Sequence, residues 1–166
     1  MAGCTIMIQT NKNVEAVVLD ASVAVAVSAQ ESDKERAARD TMKYYSDRQC
    51  LFFAPGVIVS ESLYVLCKQV DNGKITEQIH ALAITKLEAF LAPVLPSTRG
   101  DKSLIKRANE IRGTYSCRRS ADGLYIALAE QLSAIYETVI LTFDEDMPKQ
   151  AARNAPTVTV QLLPVS

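Results

Sequence analysis

The sequence predicts an α/β protein, a three-layer α/β/α sandwich around a central, mostly parallel sheet. Three observations predict it. Short runs rich in β-branched and aromatic residues, "EAVVLD", "CLFFAP" and "ETVILTFD", alternate with segments of helical length and pattern. Those runs are apolar almost throughout rather than alternating, as strands covered on both faces must be. A length of 166 residues, 48% hydrophobic and 22% charged, suits one domain with a proper core.

Taken in order, residues 1–14 are polar and unpatterned and read as a flexible lead-in, and residues 15–166 read as one domain. "EAVVLD" is the first strand. "ASVAVAVSAQ" leaves it as a helix or a turn, its valines keeping the choice open. Ser32 with Glu35 three residues on is a capping box, so "SDKERAARDTMKYYSD" is a helix. "CLFFAP" is a second strand stopped by Pro55. "GVIVSESLYVLCKQV" is a helix ended by the turn signal Asp71–Gly73. "TEQIHALAITKLEAFLA" is an amphipathic helix, and "PVLP" after it a brief strand. "GDKSLIKRANEIRG" and "SADGLYIALAEQLSA" are helices, "ETVILTFD" a strand, "PKQAARN" a short helix and "TVTVQLL" a last strand.

Bulk properties exclude several classes. The formal net charge is −1, so any nucleic-acid contact needs a local basic surface. Cys4, Cys50, Cys67 and Cys117 form no CxxC pair, which argues against zinc or a disulfide scaffold and suits a reducing compartment. The N-terminus lacks the pattern of a secretory signal, and no apolar run reaches the roughly 18 residues of a membrane span. A cytoplasmic protein without a membrane partner is expected. No GxSxG, P-loop or GxGxxG is present. His80, the sole histidine, sits far in sequence from every acid considered below and reads as a packing or surface residue.

Four acids stand in places that need explaining. Asp20 interrupts "AVVLDASVAVAV" at a strand end, and Asp144 follows the "VILT" strand. Parallel strands put both at the same sheet edge, where ligands of such sheets bind. Glu61 shares a helical face with Val57, Ile58, Tyr64 and Val65, so its carboxylate is expected to ride an inward stripe. Asp122 lies in the first turn of an alanine-rich helix, a position that complementing the helix dipole alone would explain. Each has an ordinary alternative: a cap at Asp20, a loop residue at Asp144, a snorkelling or lysine-paired boundary residue at Glu61. If the four converge, the bare site repels itself. Two charges about 4 Å apart at an effective dielectric of about 20 cost roughly 4 kcal/mol. A divalent cation removes that cost, and hard oxygen ligands favour magnesium or manganese.

In this order and on this frame the motifs resemble those of PIN-domain nucleases. "VVLDAS" matches the first, with Asp20 and then Ser22. "APGVIVSESLYVL" matches the second with Glu61, "ADGLYIALAEQL" the third with Asp122, and "LTFDEDM" the last with Thr142 and Asp144. The resemblance covers Ala16 to about Ala152 and suits the small toxins of the VapC type. It departs from the family in a longer lead-in, in Gly123 after Asp122, where close approach of a ligand is expected, and in the extra acid Asp146.

The resemblance implies a Mg2+- or Mn2+-dependent endoribonuclease. Asp20, Glu61, Asp122 and Asp144 form the catalytic set, with Asp20, Asp122, Asp144 and Asp146 as candidate metal ligands. Glu61 orients or deprotonates the attacking water or completes a second metal site. Ser22 and Thr142 hydrogen-bond waters or carboxylates behind the metal, or do ordinary turn work. It also implies an RNA substrate, a homodimer and an antitoxin partner whose tail crosses the acidic groove. A housekeeping nuclease of RNA maturation and a non-catalytic scaffold are the alternatives. A phosphohydrolase with an aspartate nucleophile wants a second aspartate where Ser22 stands.

The basic surface is expected between Thr98 and Asp122, where seven lysines and arginines face three acids. Arg118, Arg119 and Arg112 are the candidate RNA contacts, because they lead into the Asp122 helix. Lys102, Lys106 and Arg107 fit a solvated helix face equally well. No aromatic platform for stacking bases is evident.

Overall fold

The computed structural model describes residues 14–30, 32–113, 117 and 120–165. The expected lead-in, save for Val14, lies outside the described residues, as do Arg118 and Arg119. Val14 is buried, and its carbonyl accepts from the Cys50 thiol at 3.0 Å.

Among the described residues the chain runs β1 (Ala16–Leu19), α1 (Ala21–Ser28), α2 (Ser32–Ser46), β2 (Leu51–Phe53), α3 (Val57–Asp71) and α4 (Glu77–Leu91). A 3-10 turn (Asp101–Leu104) leads into α5 (Ile105–Arg112). Then come α6 (Ser120–Leu132), β3 (Thr138–Thr142), α7 (Asp146–Asn154) and β4 (Thr159–Leu162). The four strands form one all-parallel sheet in the order β2-β1-β3-β4. With helices layered on the sheet, this is the expected three-layer α/β/α sandwich.

The central strands β1 and β3 are buried at every position, which is why they read as unbroken apolar runs. The edge strands β2 and β4 are only partly covered. The open choice at "ASVAVAVSAQ" resolves as helix. All of α1 except Ser22 is buried, and a helix packed on every side tolerates valines that an exposed one disfavours. It is bundled with α2, α3 and α4, while α6 packs against β1, β3 and α5. The side chain of Ser32, expected to cap α2, is outside what the structure describes; Thr76 caps α4 by accepting from Ile79 N at 3.2 Å.

Two expectations are corrected. "PVLP" makes no strand. It contributes a single parallel bridge, Leu95 to Phe53, before the chain turns away. The buried stripe of α3 is Ile58, Ser62 and Leu66, whereas Tyr64 is 64% and Val65 37% exposed. Glu61 therefore flanks the packed stripe rather than riding its centre.

Candidate active site

The strand order places the chain's reversal between β1 and β3. The connection from β1 leads to one side of the sheet and that from β3 to the other, so a crevice opens beyond their carboxyl ends. Leu19 pairs with Leu141, which brings the residues that follow, Asp20 and Thr142, side by side. A cleft of about 250 Å³ opens here, lined by Asp20, Ala21, Ser22, Val25, Lys34, Glu61, Val65, Asp122 and Asp144.

Asp20 is the pivot. Its extended backbone (φ −83°, ψ 154°) ends the strand, and its side chain caps α1 through Ser22 N. It is 6% exposed. One oxygen, Oδ2, accepts from the Ser22 hydroxyl and, at 2.8 Å, from the Thr142 hydroxyl. Ser22 Oγ in turn accepts from Phe143 N at 3.0 Å, and Thr142 Oγ1 from Asp144 N at 2.9 Å. The two hydroxyls thus lace the end of β1 to the end of β3. Asp144 Oδ1 accepts from Asp146 N at 2.8 Å, which turns the chain into α7.

The third and fourth acids arrive on helices. Glu61 comes from α3 and is half-buried, and Asp122 comes from the first turn of α6, 9% exposed. Tyr125, one turn after Asp122 and fully buried, donates its hydroxyl to Glu61 Oε2 at 2.6 Å. Burial pushes the Asp20 carboxyl above the usual carboxylate range, against its hydroxyl and amide donors. Burial also pushes Glu61 up, opposed by the Tyr125 bond and reinforced by the charge of Asp20. Tyr125 is raised by burial and by both carboxylates.

Other expected residues fall elsewhere. Asp146 is off the cleft lining and pairs with Lys149 at 2.9 Å. Arg112 lines a separate groove of about 230 Å³ between α5 and α6, with Ile105, Ala108 and Leu124. Arg107 is committed to structure: it makes two bonds to Glu130, at 2.6 and 2.8 Å, and one to the Asn154 carbonyl at 3.1 Å. Gly123 does not admit a ligand. A Cβ there would stand 2.6 Å from the Ala108 carbonyl oxygen, so the glycine lets α5 approach α6. Two residues of the site had no motif to announce them. Tyr125 reads as core in sequence, and Lys34 reads as one charge of a solvated helix.

The donor chemistry fits a hard divalent ion: carboxylates and hydroxyls, with no sulfur or imidazole on the lining. Among the described residues no three His, Cys, Asp or Glu side chains are gathered closely enough to hold an ion alone. Magnesium commonly takes one or two carboxylates and completes its shell with water and phosphate, so the set fits in kind. No helix of the described residues is long and apolar enough to cross a membrane.

The fold is similar to that of VapBC2 from Rickettsia felis bound to a DNA fragment from its promoter, with TM-score 0.61 and 10% identity over 90% of this chain and 99% of that one. It is similar to FitAcB from Neisseria gonorrhoeae, with TM-score 0.55 and 16% identity over 87% and 95% of the two chains. A protein of Pyrobaculum aerophilum gives TM-score 0.51 and 18% identity over 96% and 92%. At these identities the likeness is one of fold. No curated protein sequence matches the chain. The PIN domain profile matches residues 17–153, a span that holds Asp20, Glu61, Asp122 and Asp144 together, and the chain belongs to the PIN domain family, the nuclease family its acidic motifs resemble.

Proposed function

We propose that the protein is a magnesium- or manganese-dependent endoribonuclease, the toxin of a toxin–antitoxin pair. The observation that carries the reading is the meeting of Asp20, Glu61, Asp122 and Asp144, from four separate stretches, on one cleft at the sheet's switch point. Asp20, Asp122 and Asp144 would hold the ion, directly or through water. When bound, the ion lowers the pKa of a water and neutralises charge on the phosphate.

The chain's own groups do the positioning. Ser22 and Thr142 fix Asp20 by one oxygen, so its orientation is set in advance. Tyr125 ties Glu61 Oε2 and leaves Oε1 to orient the attacking water and take its proton. The upward shift of Glu61 makes it a better base near neutral pH than an exposed glutamate. The water oxygen bonds to phosphorus as the ester P–O bond breaks, and the leaving oxygen takes a proton from solvent, leaving one phosphate and one hydroxyl terminus.

Similarity to VapBC2 and FitAcB supports a protein partner. Exposed apolar side chains on α3 (Val59, Leu63, Tyr64) and α4 (Ile79, Leu82) offer surface for an antitoxin and for a second copy of the chain. The test is expression of wild type and Asp122→Asn in a tolerant bacterium. Growth arrest with RNA cleavage for wild type alone is the expected result. Magnesium-dependent cleavage in vitro without growth arrest points instead to RNA maturation. No cleavage, and no thermal stabilisation by manganese, overturns the nuclease reading.

A further inference from the structure

The acidic cleft does not end at Val65. On α3, Glu61, Val65 and Gln69 stand four residues apart and share a face; on α1 and its C-cap, Ser22, Val25 and Ala29, three and then four residues apart, do the same. The first two of each trio line the acidic cleft. The last of each lines a neighbouring pocket of about 440 Å³, with Gln30, Lys34, Lys74 and Ile75. Lys34 lines both. The two cavities are therefore successive stretches of one groove, with α1 along one side and α3 along the other.

The chemistry changes along it. The first stretch carries four carboxylates; no acid lines the second, which presents two lysines and two glutamines. Local structure holds these groups in place. The amides of Lys74 and Ile75 donate to the Gln69 carbonyl at 2.8 and 3.3 Å, folding Lys74 back beside Gln69. Gln30 takes a left-handed backbone (φ 56°), a conformation that a non-glycine residue adopts at a cost. The Lys34 ammonium sits 5.7 Å from the centre of the ring of Phe143, the residue before Asp144 in the chain, and Lys34, lining both cavities, stands between the two stretches.

We infer that this second stretch is a backbone subsite for single-stranded RNA, in which Lys34 and Lys74 take phosphates flanking the scissile one while Gln30 and Gln69 hydrogen-bond sugar or phosphate oxygens. This rests on the nuclease reading. Eight residues of helix rise about 12 Å, so Gln69 lies within a few nucleotides of Glu61 along a strand. A strand whose reacting phosphate sits among carboxylates gains no attraction from them, and the lysines supply it. The substrate then enters on the α1–α3 side rather than through the separate groove that Arg112 lines.

The experiment uses fluorescein-labelled oligouridylate with full-length protein carrying Asp122→Asn to prevent cleavage, and compares it with the same protein bearing Lys74→Ala, Lys34→Ala or both. Thermal melts check that each variant folds. The expected result is binding weakened several-fold by each change, with the slope of log affinity against log salt shallower by about 0.7 for each phosphate left without its lysine. Unchanged affinity and slope in the double variant overturn the subsite, as does lysine-dependent capture of oligoglutamate in place of the RNA, which would make the groove a site for an acidic peptide. The two readings fail separately. Lysine-dependent binding by a protein that never cleaves keeps the subsite and sinks the nuclease; Asp122-dependent cleavage indifferent to both lysines does the reverse.

Discussion

Helix α6 carries carboxylates toward both ends, and their surroundings differ. Near its C-terminal end Glu130 meets Arg107, and Glu110 lies 3.3 Å from the same guanidinium. Here a cation from within the chain closes the charge, and the guanidinium is held above its usual pKa by those carboxylates. Near its N-terminal end Asp122 faces the cleft that Asp20 and Glu61 share. The hydrogen bonds that Asp20 and Glu61 accept among the described residues come from neutral donors: Ser22, Thr142, backbone amides and Tyr125. Both are raised in pKa, the sign of ionisation that the surroundings resist. The difference teaches that this fold knows how to neutralise a carboxylate and at the sheet edge leaves two of them to be met from outside.

The comparison breaks first in activity. Glu61→Gln keeps the shape and the Tyr125 contact but removes the base, and kcat for RNA cleavage is expected to fall about 10²–10⁴-fold with little change in KM. Tyr125→Phe removes one buried hydroxyl, and kcat should fall about 10–100-fold, the usual loss when a partner behind a working group is deleted. A pH–rate profile checks the role, because the untethered Glu61 keeps its proton to a higher pH and the acidic limb moves upward. Glu130→Gln, in contrast, should leave cleavage unchanged.

Stability sharpens the contrast. Gly123→Ala drives a methyl into the Ala108 carbonyl and separates α5 from α6, at an expected cost of about 1–3 kcal/mol read by urea unfolding. Asp20→Asn should do the opposite in protein free of divalent ions. The folded state holds a carboxyl whose pKa is raised, so it binds protons more readily than the unfolded chain. Its destabilising effect is absent below the ordinary carboxylate range, grows as pH rises from there to the raised value, and is constant above it. At neutral pH the asparagine variant is expected to melt about 2–4 °C higher, the shift that 1 kcal/mol makes at this size, and the gain should vanish in acid. The smallest effect belongs to Glu130→Gln, which loses a partly exposed ion pair and about 1 kcal/mol or less.

What could be read from the sequence follows from range. Asp20 and Asp144 were legible because a strand's end is a local event, and β1 and β3 announce themselves by unbroken apolar runs. Glu61 was legible as an anomaly on its helix. Its partner was not, since the Tyr125 bond joins residues that only the packing of α3 and α6 brings together. Gly123 misled because a missing side chain looks the same whether a ligand or a neighbouring helix uses the room. "PVLP" had strand composition but finds only Phe53 to pair with, so one bridge forms and no ladder. Lys34 carries no local signal at all; only the fold sets it on the cleft wall.

The most direct measurement is the melting temperature of chelator-treated protein as manganese is added, for wild type and for Asp20→Asn. Binding at a hundredfold excess over Kd contributes about 2.7 kcal/mol, on the order of 5–10 °C here. The account predicts that rise for wild type and most of it lost in the variant. Equal curves for the two proteins, or no rise in either, would contradict it.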